Sequence, residues 1–280
     1  MPGFEWIGEE EKKAVIEVFD EGGVLFAHGF DKLRKKFHVR EFEAACCERF
    51  LVKHALAVSS GTAAIKVALK SVGVGHGDEV ITQAFNFIAT IEAILDCGAI
   101  PIIANVDETL NMDYKDMQDL ITSKTKAILP VHMLGVSAKM KEIMSVASKH
   151  GLPVVEDNCE SIGASYDGNE LGTLGDVGAL SFDQGKMIAT GEGGMVLTDN
   201  LKTDKFAREY HDHGHENNPS LPRGRDSRSK YGFNYRMTEM QGAIGKVQIS
   251  KLDRMLKANR ERYLALEEAL NGKFDLRYLP

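Results

Sequence analysis

The four cysteines (Cys46, Cys47, Cys97 and Cys159) lack the spacing of a metal clip or a redox pair, and two are adjacent and poorly placed to bridge each other. They read as reduced, buried thiols, the usage expected of a cytoplasmic protein. No apolar run is long enough to cross a bilayer. The opening Met1-Pro2-Gly3-Phe4-Glu5-Trp6 lacks the charged-then-apolar pattern of a secretion signal. Excess positive charge is absent too, and a net charge of −7 favours neither nucleic acid nor an anionic membrane as a partner. Internal repeats and low-complexity tracts are also missing. What remains is 280 residues, 43% hydrophobic and 27% charged, enough for one large core.

Short apolar runs alternate with helical patterns from residue 55 onward. Strands are expected at Ala55–Ser59, Glu79–Thr82, Ile100–Asn105, Lys126–Val131 and Leu152–Glu156, and a further strand-like run leads into Ser181-Phe182. Helices are expected at Ala63–Val72, Thr90–Cys97, Tyr114–Ile121 and Ala138–His150. Apolar runs of four to six residues between helices indicate strands buried on both faces, hence an α/β fold with a mostly parallel sheet and helices on both sides. Ahead of them, Glu9–Phe19 and Glu41–Phe50 read as helices. The basic stretch Lys32, Arg34, Lys35, Lys36, His38, Arg40 reads as a solvated helix face. Residues 208 to 235 read as a long polar loop, and Leu252–Leu270 as a long charged helix.

Ligands of such sheets bind beyond the carboxyl ends of the strands, and several chemically pointed residues fall there. Lys186 lies between the Gly-Ala-Leu-Ser-Phe run and a glycine-rich turn, Thr190-Gly191-Glu192-Gly193-Gly194. A lysine among small and apolar neighbours loses solvation of its charged form and becomes a nucleophilic amine, suited to hold an aldehyde cofactor as a Schiff base. The same amine can then carry a proton. Asp157 follows an apolar run and suits the partner of a protonated pyridinium nitrogen, although the same residue also suits a helix N-cap. Gly61 and Thr62 open a helix, and Ser181 adds a hydroxyl, together a cup for a phosphate. Phe87 is placed to lie on a planar ring. Together these describe a pyridoxal 5′-phosphate (PLP) site.

His211, His213 and His215 alternate around Asp212, but no further ligand group stands at a suitable spacing, so no metal is expected. Arg223, Arg225, Arg228 and Lys230 suit a loop that closes on an anionic substrate, and a solvated loop suits them equally. His213 and the three arginines are the candidate substrate contacts.

Taken in order, the motifs Ser-Gly-Thr-Ala-Ala (60–64), Gly-Asp-Glu-Val (77–80), Phe-Asn-Phe-Ile-Ala-Thr (85–90), Gly-Ala-Ile-Pro (98–101), Glu-Asp (156–157), Gly-Asp-Val-Gly (175–178), Ser-Phe-x-x-x-Lys with Thr-Gly-Glu-Gly-Gly (181–194) and Gly-Phe-Asn-Tyr-Arg-Met-Thr-Glu (232–239) resemble the DegT/StrS-type sugar aminotransferases, which are fold-type I PLP enzymes. The resemblance runs from about Phe4 to the end. It implies Lys186 as the Schiff-base lysine, Asp157 as the pyridinium partner, Phe87 as the stacking ring, and Gly61, Thr62 and Ser181 as phosphate ligands. Glu160 stands where the family often has Gln or His near the cofactor's ring hydroxyl. Asn234 matches an asparagine that reaches the neighbouring subunit's cofactor phosphate, which implies a homodimer with shared active sites. L-Glutamate is the implied amino donor.

Three local features, Met-Pro-Gly-Phe-Glu at the start, Ser-Phe-Asp before Lys186, and Asp212-His-Gly-His-Glu216, are similar to a branch of that family. Its transaminases make 8-amino-3,8-dideoxy-manno-octulosonate for lipopolysaccharide from a free anionic keto sugar. Aminotransferases of nucleotide-linked keto sugars are the alternative. A sugar dehydratase on the same fold is a further one, against which Lys186 argues, because those enzymes carry histidine in its place. An inactive homologue is the last. Members of the family are longer. The expected division is a PLP-binding large domain at 1–250, with an N-terminal arm over about 1–50, and the start of a largely missing C-terminal small domain at 251–280.

Overall fold

The computed structural model describes residues 2–218, 220–222 and 224–274. Its strands are β1 (His54–Val58), β2 (Glu79–Gln83), β3 (Ile100–Ala104), β4 (Thr125–Ile128), β5 (Val155–Asp157), the short hairpin β6 (Ser165–Tyr166) and β7 (Asn169–Glu170), then β8 (Val177–Ser181) and β9 (Gly194–Thr198). Two hydrogen-bonded groups, β1-β9-β8-β5 and β3-β2-β4, are joined by parallel bridges Ile128↔Val154 and Val131↔Asp157. The spatial order is therefore β1-β9-β8-β5-β4-β2-β3.

β9 runs antiparallel to both β1 and β8, whereas the other neighbours are parallel. Every strand of this sheet except β9 therefore points its carboxyl end to the same edge. The expected mostly parallel sheet is present, with one reversed strand inserted.

The pleat sends alternate side chains to opposite faces. On β1, Leu56 and Val58 enter one core cluster while Ala55 and Ala57 enter another, and on β9 Val196 is separated from Met195 and Leu197 in the same way. Helices α3 (Gly61–Ser71) and α7 (Leu201–Tyr210) cover the first face, and α2 (His38–Phe50) and α8 (Glu239–Leu270) cover the second. Helices α4 (Ile88–Asp96), α5 (Tyr114–Asp119) and α6 (Met140–His150) follow β2, β3 and β4 as crossovers.

Local chemistry sets the helix ends. Ser60 caps α3 by accepting from the Ala63 N–H at 3.1 Å. Thr238 and Gln241 form a reciprocal capping box that starts α8. α8 then runs 32 residues and crosses the expected boundary near residue 250 without a break. α1 (Glu9–Asp20) is tied to α8 by buried Glu11, which accepts from Gln248 at 2.8 Å and Lys251 at 2.7 Å.

Two expectations need correction. The basic stretch is not a solvated helix face. Residues 29–37 are irregular apart from a turn at 31–33, and the Arg34 side chain is 2% exposed, paired at 3.3 Å with equally buried Glu239 at the start of α8. A cation so buried is retained only with a partner, and that partner lies 205 positions away. The segment 208–235, read as a long polar loop, is fastened at several of its described residues: Phe233 donates to the Tyr210 carbonyl, Asp212 bridges Asn234, and Lys230 pairs with Glu209 at 2.8 Å.

Glu156, next to Asp157 on β5, is fully buried. Its carboxylate accepts from the N–H groups of Gly172 (3.0 Å), Leu174 (2.6 Å) and Gly175 (2.6 Å), and it lies 2.9 Å from His132 Nε2. His132 Nδ1 accepts from Ala138 N–H, so Nε2 carries the proton and donates. Glu156→Ala strands all four donors and should cost about 3–5 kcal/mol in urea unfolding.

Candidate active site

The carboxyl ends of β1, β2, β5 and β8 surround a cavity of about 320 Å³ lined by Ser60, Gly61, Thr62, Phe87, Thr90, Asp157, Cys159, Glu160, Ser181, Asp183, Lys186 and Glu192, among others. That volume suits one small cofactor. Seven of the residues singled out in the sequence thus come together from four chain segments: Gly61, Thr62, Phe87, Asp157, Glu160, Ser181 and Lys186.

At one end lies the start of α3. The first-turn N–H groups of Gly61 and Thr62 have no intrahelical acceptor and face a region of positive helix-end potential. Gly61 is there because nothing larger fits: a Cβ would lie 2.7 Å from Ser181 Cβ and 2.9 Å from its hydroxyl. Close approach of α3 to the end of β8 is what brings N–H groups and the Ser181 hydroxyl to one spot.

Asp157 ends β5, buried, and one carboxylate oxygen accepts from Thr90 Oγ1 at 2.7 Å while the other accepts from the Cys159 N–H at 3.1 Å. Two donors hold a charged carboxylate in place with one edge toward the cavity. Thr90 was missed in the sequence; its only signal was its place on the first turn of α4, three residues after Phe87. Phe87 precedes α4 and is 64% exposed, unusual for a phenylalanine with a packing role alone. Burial beside Asp157 pushes the Cys159 thiol well above its ordinary range, so it stays a neutral wall.

Lys186 follows β8 on a turn fixed by Asp183, whose side chain accepts from Gly185 N–H and whose carbonyl accepts from Lys186 N–H, both at 2.9 Å. Its ammonium pairs with Glu160. Among the lining residues Lys186 is the lone cation, facing Asp157, Glu160, Asp183 and Glu192.

The candidate substrate residues lie elsewhere. His213, Arg225, Arg228 and Asn234 are exposed and do not line this cavity, and Arg223 lies outside the described residues. The three histidines do not converge. His215 lies 2.9 Å from Asp226 and 2.9 Å from Arg228, and His213 points outward with φ +54°. Buried His211 donates from Nδ1 to the Arg208 carbonyl at 2.6 Å, so its Nε2 accepts from His28 at 3.2 Å. Among the described residues no His, Cys, Asp and Glu cluster is arranged to hold a metal.

Burial pushes the His211 imidazole down to about 4 from 6.5, against the pull of neighbouring Asp212. Neutral His211 is the native form, while the unfolded chain takes up a proton near 6.5. Its contribution is complete above pH 6.5 and is lost as pH falls toward 4, about 3 kcal/mol in all. Stability measured by urea unfolding should fall over that window, and His211→Gln should flatten the slope.

Sheet, lysine turn and helix-end cup together define a PLP-type transferase site of fold type I. The chain belongs to the DegT/DnrJ/EryC1/StrS aminotransferase family, whose model matches residues 7–276. It is 41% identical over 236 residues to the GDP-perosamine synthase of Caulobacter vibrioides, covering 81% of this chain and 60% of that protein. It therefore spans about three-fifths of that relative's length. Among solved structures, the aminotransferase from Psychrobacter cryohalolentis superposes with a TM-score of 0.80 at 34% identity, covering 88% of this chain and 62% of that one. A GDP-4-keto-6-deoxymannose-3-dehydratase with bound GDP-perosamine gives 0.84 at 28% identity, covering 95% and 72%.

Proposed function

We propose that this chain forms the cofactor-binding part of a PLP-dependent sugar aminotransferase, moving the amino group of L-glutamate to a keto or aldehyde sugar. Glutamate leaves as its 2-oxo acid and the sugar carbonyl becomes an amine. The observation that carries this reading is the convergence of Lys186, Asp157 and the α3 terminus on one cavity of about 320 Å³. The residues fit the cofactor: at Gly61 any side chain would fill the cradle between α3 and Ser181.

Gly61, Thr62 and Ser181 would hold the phosphate through N–H and hydroxyl groups, Asp157 the ring nitrogen, Phe87 a ring face, and Glu160 would stand near the ring hydroxyl. When bound, PLP supplies an electron sink that stabilises negative charge on the amino-bearing carbon. The chain supplies the rest. Lys186 is the linking amine and then moves the proton to and from that carbon. Asp157 keeps the ring nitrogen protonated, and Thr90 keeps Asp157 aimed. Lys186 also speaks against the dehydratase reading, in which histidine replaces it.

A second copy of the chain completes the site in this reading. Phosphate is doubly charged, and Lys186, the cation of the lining, is committed to Glu160. Asn234, exposed and away from its own cavity, is available to a neighbouring protomer's phosphate.

For the acceptor, the GDP-perosamine relatives support a nucleotide-linked keto sugar. A second reading is 8-oxo-3,8-dideoxy-manno-octulosonate, supported by the sequence features Met-Pro-Gly-Phe-Glu, Ser-Phe-Asp before Lys186 and Asp212-His-Gly-His-Glu216. Mass spectrometry of reactions with glutamate and each acceptor tests both. An amine on the GDP-linked sugar supports the first, an amine on the octulosonate the second. Release of the 2-oxo acid with no amino sugar would overturn both in favour of dehydration.

A further inference from the structure

The segment Pro2-Gly3-Phe4 plays no part in the chemistry above, yet it touches the turn that carries Lys186. Gly3 N–H donates to the Lys186 carbonyl at 2.7 Å. Gly3 is buried, and a Cβ on it would lie 2.4 Å from the Met187 carbonyl oxygen and 2.9 Å from Gln248 Oε1. The first is a backbone contact that a side chain cannot make without moving the turn, and the second presses on a side chain of α8. The segment is itself anchored. Gly3–Trp6 forms a short 3₁₀ turn, the Trp6 carbonyl accepts from Lys251 at 3.1 Å, and Arg254 lies over the Trp6 ring at 5.2 Å. Both anchors are on α8.

The opposite side of the lysine turn is held by its own Asp183. Pro2 also walls a second cavity of about 390 Å³ that shares Cys159, Glu160 and Lys186 with the cofactor cavity. The lysine peptide is thus gripped between the sheet and a strap bolted to α8.

We infer that Pro2–Phe4 is a positioning element for Lys186, with Gly3 the residue that makes it possible: it fixes the Lys186 peptide and so the direction in which the amine leaves the turn. Gly3 does not line the cofactor cavity and acts through the Lys186 backbone. The functional half of this inference rests on the PLP reading, and the mechanical half does not.

The test uses the full chain, Gly3→Val, a control Gly8→Ala, where a Cβ meets nothing within 4 Å, and a chain starting at Glu5 after an initiator Met. Hydrogen exchange of the cofactor-free proteins reads the mechanical half. Amides 185–188 should exchange about tenfold faster in Gly3→Val and in the shortened chain, the effect of one lost hydrogen bond. β1, β8 and Gly8→Ala should be unchanged. The shortened chain decides if Gly3→Val does not fold. Borohydride trapping of PLP on the Lys186 peptide reads the functional half, and should be about tenfold slower in the same two proteins. Unchanged exchange at 185–188 overturns the strap. Faster exchange with trapping at the wild-type rate overturns its role in positioning. Absence of PLP on Lys186 in the wild type defeats the PLP reading and with it the positioning role, while exchange still decides whether the strap holds the turn.

Discussion

Lys186→Ala is expected to remove the visible absorption band that depends on the link between Lys186 and the cofactor, and to lower amino transfer by about 10³-fold or more. In the proposed function two roles meet in this one side chain. It is the lone cation lining the cavity and the amine placed at its mouth by the Asp183 turn, so its loss removes both the link to the cofactor and the carrier of the proton. The variant should fold, because the Lys186 ammonium is partly exposed and its ion pair with Glu160 is at the cavity wall, not in the core. Circular dichroism and a thermal midpoint near that of the wild type separate lost chemistry from lost structure. Lys186→Arg should be equally inactive, because a guanidinium does not give up its proton to become a nucleophile.

Asp157→Ala is expected to be the next most damaging change, about 10²–10³-fold on amino transfer with weaker cofactor retention. The carboxylate is buried, with donors on both oxygens from Thr90 and the Cys159 N–H. A buried charge so held faces the cavity permanently and is not free to rotate away. Asp157→Asn keeps the shape and loses the charge, so it should fold as well as the wild type and still fall by a similar factor. An Asn variant as active as the wild type would show that the charge is not what the site uses. Stopped-flow absorbance with glutamate as sole substrate isolates this effect from any contribution of the sugar.

Much of this site was legible because the fold concentrates it. Residues that follow strands in a parallel sheet share one edge, so Ser60–Thr62, Phe87, Asp157 and Ser181–Lys186 could be assigned to one cavity from the apolar runs alone. Strand order and direction were less legible. β9 is a five-residue run with no periodicity that distinguishes a reversed strand from a parallel one, and only its pairing with β1 and β8 reveals it.

Contacts between distant positions were not legible at all. Thr90 lies 67 residues from Asp157 and Glu160 lies 26 from Lys186, and nothing local to either announces the pair. Arg34 misled for the same reason: its neighbours in sequence are solvated cations, while its partner Glu239 opens a helix near the other end. Arg225 and Arg228, read from the sequence as substrate contacts, face solvent and not the cavity of their own chain.

The central claim is that this chain binds PLP on Lys186 and uses it to accept an amino group. The most direct measurement is the visible spectrum of the purified protein titrated with PLP, before and after addition of L-glutamate, for wild type and Lys186→Ala. A band that saturates with PLP, requires Lys186 and is bleached by L-glutamate is the expected result. A titration in which wild type and Lys186→Ala give the same spectrum, unaltered by glutamate, would contradict it.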